Sequence, residues 1–150
     1  MTDETLLHTA HIPVRWGDMD SYGHVNNIIY MQYLEEARVA WFELAGVAMS
    51  NVPFGPVVLQ TQHTYLKPVI HPATVVVELR AGAVGRSSLV IAHRLTTAED
   101  PLTVYGEGYC KLVWIDHGKR QVGGPAGACT RPVQRHLAVT LRSSVGVRLA

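Results

Sequence analysis

The chain has 150 residues, 47% of them apolar and 17% charged, with a formal net charge of +1 and two cysteines. That length suits one domain burying roughly 70% of the surface its unfolded form exposes. The near-neutral charge gives no electrostatic reason to expect a nucleic-acid partner, and no apolar run approaches the roughly 20 residues of a membrane helix.

The start, Met1-Thr-Asp-Glu-Thr5, is acidic and lacks the basic region, apolar stretch and small-residue cleavage site of a secretory signal, so a cytoplasmic protein is expected. Cys110 and Cys129 match no metal spacing and read as reduced structural thiols. Leu6 to Trp16 carries His8, Ala10, Ile12 and Val14 on one parity, which predicts a first strand, and Pro13 argues for an edge or irregular position.

The stretch Arg15-Trp-Gly-Asp-Met-Asp-Ser-Tyr-Gly-His-Val-Asn-Asn27 then runs into an apolar-periodic segment, Ile28 to Ala45. Tyr30, Leu34, Ala37, Trp41 and Leu44 recur at helical spacing, with Ile29, Tyr33 and Ala40 widening the stripe, so a buried helix of about five turns is expected. Asn26 or Asn27 is a natural N-cap, and Gly46 stands where a C-terminus needs positive φ. The first N–H groups of such a helix lack intrahelical partners and carry the positive end of its dipole. They can polarise a thioester carbonyl, whose oxygen gains negative charge during attack by water or by a carboxylate such as Asp20.

Beyond the turn-rich Ser50 to Pro56, three stretches have β composition: Val57–Leu66, Thr74–Val84 and Ser87–Thr96, the last two joined by a tight hairpin at Gly85-Arg86. Thr103 to Ile115 predicts a further long strand. Gly123 to Gly127 reads as a loop and Pro132 to Leu141 as a short helix. Charge is uneven: residues 1–50 hold seven acids and two bases, while 117–150 hold Lys119, Arg120, Arg131, Arg135, Arg142 and Arg148 and no acid. That basic segment is a candidate phosphate contact, or a solvated tail offsetting the acidic first third.

One long helix followed by four strands, with one strand before it, indicates an α+β fold in which a curved antiparallel sheet wraps a central helix, the hot-dog architecture. The loop Trp16-Gly-Asp-Met-Asp-Ser-Tyr-Gly-His-Val-Asn-Asn27, with Tyr33-Leu-Glu-Glu-Ala-Arg38 on the helix, resembles the 4-hydroxybenzoyl-CoA thioesterase-like family, and Tyr65-Leu-Lys-Pro68 and Gly85-Arg-Ser-Ser88 resemble its later landmarks. The likeness covers about residues 8–120, leaving a basic C-terminal segment of about 121–150 in one single-domain chain.

The resemblance implies an acyl-CoA thioesterase. The second aspartate of its Asp-x-Asp pair, here Asp20, is the catalytic carboxylate, and Asp18 supports it. Members commonly place Tyr or His seven residues further on, contributing a backbone N–H to the thioester carbonyl; this chain has Asn27, which keeps the N–H and not the side chain. The loop residues Gly23, His24, Val25 and Asn26, and the hairpin residues Arg86 and Ser87, are the expected substrate contacts. Related hot-dog proteins join sheets edge to edge, so a homodimer or homotetramer is expected, with Val57 to Leu66 as the joining edge.

Each site residue has a plainer reading. Asp20 alone is a common turn former, Asp18 suits hydrogen bonding to loop amides, and a lone loop histidine such as His24 is more often structural than a base. Gly85 to Ser88 alone is a hairpin with polar ends, and Glu36 and Arg38 suggest a structural polar pair. No histidine pair has the helical spacing of a zinc motif, so neither metal nor other cofactor is expected. The competing functional reading is a non-catalytic acyl-thioester-binding module; a hot-dog hydratase fits the acid pair less well.

Overall fold

The computed structural model describes residues 5–122 and residue 135. The expected loop at 123–127, the helix at 132–141, Cys129 and most of the basic C-terminal segment lie outside the described residues. Strands β1 (Leu6–Pro13), β2 (Phe54–Tyr65), β3 (Thr74–Val84), β4 (Ser88–Thr97), β5 (Gly106–Asp116) and β6 (Gln121–Val122) accompany one long helix, α1 (Asn27–Ala45). They form one antiparallel sheet in the order β1-β3-β4-β5-β2, with β6 paired to β5. The sheet curves around α1, as the hot-dog reading expects.

Asn26 is the N-cap, its side chain accepting the Ile28 N–H, and Gly46 ends the helix at φ 69° and ψ 27°. The expected stripe is correct at Tyr30, Tyr33, Leu34, Ala37 and Trp41, which share one buried core with Val75, Val77 and Leu79 of β3 and Leu89, Ile91 and Leu95 of β4. It is wrong at Leu44, which is 65% exposed while Phe42 is buried. The reading of α1 as mostly surrounded by protein also needs correction, since Gln32, Glu35, Glu36 and Glu43 on its other face are exposed. Glu36 and Arg38 form no ion pair with each other: Arg38 is buried and Glu36 exposed, because positions two apart on a helix do not share a face.

Several strand boundaries shift. β1 stops at Pro13, and Trp16–Asp18 forms a 3-10 turn, because Asp18 accepts the Arg15 N–H and draws the chain out of the ladder. A bulge after Leu6 changes parity within β1, so Leu7 and Ile12 both face inward. β5 begins at Gly106 rather than Thr103, since the Thr103 N–H turns back to the Asp100 carbonyl. β3 has the expected bounds, and the Gly85 N–H closes the β3–β4 hairpin on the Ser88 carbonyl. Pro13 lies on an edge strand as expected, and β2, extending three residues further upstream than read, is the opposite edge.

Candidate active site

The acidic loop closes on itself as a small hairpin. Met19 and Val25 form an isolated antiparallel bridge, the Asp20 N–H donates to the His24 carbonyl at 2.9 Å, and the Gly23 N–H returns to the Asp20 carbonyl at 3.0 Å. Gly23 adopts φ 76°, a left-handed conformation that costs glycine little. Asp20 sits at the neck, half-buried, one carboxylate oxygen accepting the Tyr22 N–H at 2.9 Å. Its other oxygen takes no hydrogen bond among the described residues.

Asp18 is placed quite differently. It is 1% exposed and accepts from the Arg15 N–H, the Arg15 guanidinium and the Tyr33 hydroxyl, the last at 2.7 Å. Burial pushes this carboxyl up, but hydrogen bonds from Tyr33 and Arg15 outweigh it and hold it below the usual carboxylate range. Burial and the hydrogen bond to Asp18 push the Tyr33 phenol up. The Asp18 carbonyl also receives the Asn26 N–H at 2.9 Å. Asp18 therefore braces the loop against the helix.

At the start of α1 the donors are almost all engaged. Ile28 N–H goes to the Asn26 side chain at 3.0 Å, Ile29 N–H to the Asn26 carbonyl and Val25 N–H to the Val69 carbonyl. Among the described residues, the N–H of Asn27 has no acceptor. Asn27 also lines a cavity of about 280 Å³ with His24, Val25, Tyr30, Tyr65 and Lys67. An open cavity beside a free helix-start N–H can receive a carbonyl oxygen.

The expected residues fall into four groups. His24, Val25 and Asn27 line the cavity, Val25 with most of its surface buried in the core. Asp20 and Gly23 shape the adjoining loop, and Asn26 caps the helix. Arg86 and Ser87 are not brought to this site within one chain: the sheet register runs Tyr65–Gly106–Leu95 at the helix-start end and Val57–Val113–Ser88 at the hairpin end.

Sequence reading gave no site role to Tyr30 of the helix stripe or to Tyr65 and Lys67 of the landmark at 65–68, and it missed a histidine pair. Lys67 contacts Asp100 at 3.5 Å and lies over the Tyr105 ring. His63 Nδ1 and His93 Nε2 are 3.0 Å apart, with rings stacked at 5.2 Å. Burial, then the nearby His63 and Arg38 charges, push His93 down to about 3, and burial also lowers His63, so both imidazoles are neutral at pH 7.

A family model described as the thioesterase-like superfamily matches residues 14–142. The chain belongs to the thioesterase-like superfamily. The match starts within the 8–120 covered by the motif resemblance and runs past its C-terminal end. Among solved structures, the PA2801 protein of Pseudomonas aeruginosa, named as a candidate thioesterase, is 63% identical, covering 89% of this chain and 98% of that one at a TM-score of 0.80. A candidate acyl-CoA thioesterase of Xanthomonas campestris is 44% identical over 79% of this chain and 98% of that one, at a TM-score of 0.70. The uncharacterized protein YsmA of Bacillus subtilis is 31% identical over 82 residues, 55% of this chain and 56% of YsmA, so the chain spans about half the length of this curated relative. No helix of the described residues is long and apolar enough to cross a membrane.

Proposed function

We propose that this chain is an acyl-CoA thioesterase, converting an acyl-CoA and water to a free acid and CoA. One observation carries the reading: Asn27, whose N–H has no acceptor among the described residues, lines a cavity beside the loop that holds Asp20. Membership of the thioesterase-like superfamily and the likeness to the two thioesterase structures support it.

In this account the thioester carbonyl oxygen points at the Asn27 N–H, where the helix dipole adds to the stabilisation of developing negative charge. The Asp20 carboxylate, with one oxygen unengaged among the described residues, either takes a proton from the attacking water or attacks the carbonyl carbon itself, giving a mixed anhydride that water then hydrolyses. In both routes the carbon–sulfur bond breaks and the thiolate of CoA leaves. Label in Asp20 after a single turnover in heavy-oxygen water identifies the anhydride route with water attacking the Asp20 carbonyl; direct attack of water on the acyl carbonyl puts the label in the released acid alone.

Assembly through β2 completes the site. Two β2 edges paired antiparallel about a two-fold axis set the hairpin end of one copy against the helix-start end of the other. Arg86 and Ser87 of the partner subunit then reach towards the CoA portion of the substrate, which explains why they lie at the wrong end of their own sheet. β2 also exposes Val58 and Leu59, which a second copy would cover.

A hydrolysis screen over short, medium, long-chain and aromatic acyl-CoAs, with thiol release as readout, tests the activity. Saturable release from at least one substrate is expected. Binding of acyl-CoA without release from any of them would favour the non-catalytic module.

A further inference from the structure

Tyr65, the last residue of β2, donates its hydroxyl to the carbonyl of Asn27 at 2.9 Å, and it also lines the cavity. Its ring stands edge-on to Tyr30 at 5.1 Å and to His63 at 4.7 Å. Both neighbours are held in turn. The Tyr30 hydroxyl accepts the Val69 N–H at 3.0 Å, and His63 is bonded to His93. A Cβ at Gly106 would lie 2.5 Å from His63 Nε2, so the glycine opposite Tyr65 in the sheet leaves room for the imidazole. Burial pushes the Tyr65 phenol up, which keeps it protonated and a donor at neutral pH.

We infer that Tyr65 is a positioning residue for the Asn27 N–H. The first residue of a helix is held by few bonds and frays readily. Here the residue whose N–H is unengaged has its own carbonyl tethered to the end of a strand. A donor aimed at a developing oxyanion stabilises it only if already oriented before the charge appears. The Asn27 N–H shares its peptide plane with the Asn26 carbonyl, which accepts the Ile29 N–H, and the Tyr65 tether holds the next plane, so that Asn27 is fixed on both sides of its Cα; the packed rings of Tyr30 and His63 fix the tether. The inference rests on the thioesterase reading of Asn27.

Tyr65→Phe keeps the ring contacts and removes only the hydroxyl. A neutral hydrogen bond of this kind has a net worth that corresponds to roughly a three- to tenfold change in an equilibrium or rate. The expected result is kcat lower by that factor with KM within about twofold, together with changed amide resonances and faster amide hydrogen exchange at Asn27 to Ile29. Unchanged kcat, or a raised KM at normal kcat, overturns the inference, the latter making Tyr65 a substrate contact. Unaltered amide signals at Asn27 to Ile29 overturn it as well. If the unsubstituted protein hydrolysed no thioester, the functional reading would fall, and the amide readout would still decide whether Tyr65 holds the helix start.

Discussion

The Tyr33 hydroxyl reaches back 15 residues to donate to the buried Asp18 carboxylate at 2.7 Å, joining the second turn of α1 to the loop that precedes it. Hydrogen bonds to a charged group contribute about 1.5–3 kcal/mol. Tyr33→Phe should therefore lower unfolding free energy by about that amount, measured by urea denaturation, and disturb activity mainly through the loop. A variant as stable as the parent would remove Asp18 and Tyr33 from the bracing role.

Stability should fall on acidification in two stages. His93 is held down to about 3, against an ordinary value near 6.5, so the unfolded chain takes up a proton that the folded chain refuses. Stability from this group is complete above about pH 6.5 and falls by about 1.4 kcal/mol per pH unit below it, until the folded pKa is reached. His63, also lowered by burial, acts in the same direction. Asp18 is a depressed carboxyl, whose contribution is present above the ordinary carboxylate range and lost as pH falls through its folded value. Denaturation at pH 7.5 and 5.5 should show the first loss, and His93→Gln should flatten it. A stability curve level across that interval would contradict the neutral buried pair.

The protein should be a homodimer or homotetramer joined at β2. Leu59 on that edge is 59% exposed in the single chain. Leu59→Lys sets two like charges near the joint and removes apolar burial worth about 1.5–3 kcal/mol, so dissociation should rise at least tenfold by light scattering across a dilution series. A fully active monomer at micromolar concentration would refute assembly as a requirement.

If Arg86 of the partner subunit meets CoA phosphates, Arg86→Ala should raise KM for an acyl-CoA more than for the matching acyl-pantetheine. The difference should shrink as salt rises, because screening shortens to about 8 Å at physiological ionic strength. Equal effects on both substrates would assign Arg86 to the hairpin.

Local signals made much of this fold legible. Helical spacing, Asn26 and Gly46 define α1, and β composition between turn formers gives β3 its bounds. Leu44 departs from the stripe because periodicity says which residues share it, and not where the sheet stops covering it. The acidic loop was legible as a motif, and the resemblance gave Asp18 a supporting role, but its partner needed three dimensions: only the fold brings Tyr33 to Asp18. His63 and His93 are 30 residues apart and meet across β5, and no local pattern marks such a pair. The available hint was subtler. His63 and Tyr65 share one parity of β2, and the residues paired with them on β5 are Gly108 and Gly106.

Asp20→Asn tests the central claim most directly, since it nearly preserves shape and removes the charge needed to attack the carbonyl or to accept a proton from water. General acid–base catalysis contributes about 10²–10⁴-fold, so kcat should fall at least a hundredfold, with acyl-CoA binding and the unfolding midpoint little changed. Asp18→Asn should cost less in kcat and more in stability, as its buried hydrogen bonds require. Normal turnover by Asp20→Asn would contradict the account; with a dead Asp18→Asn beside it, the catalytic carboxylate would be the other member of the pair.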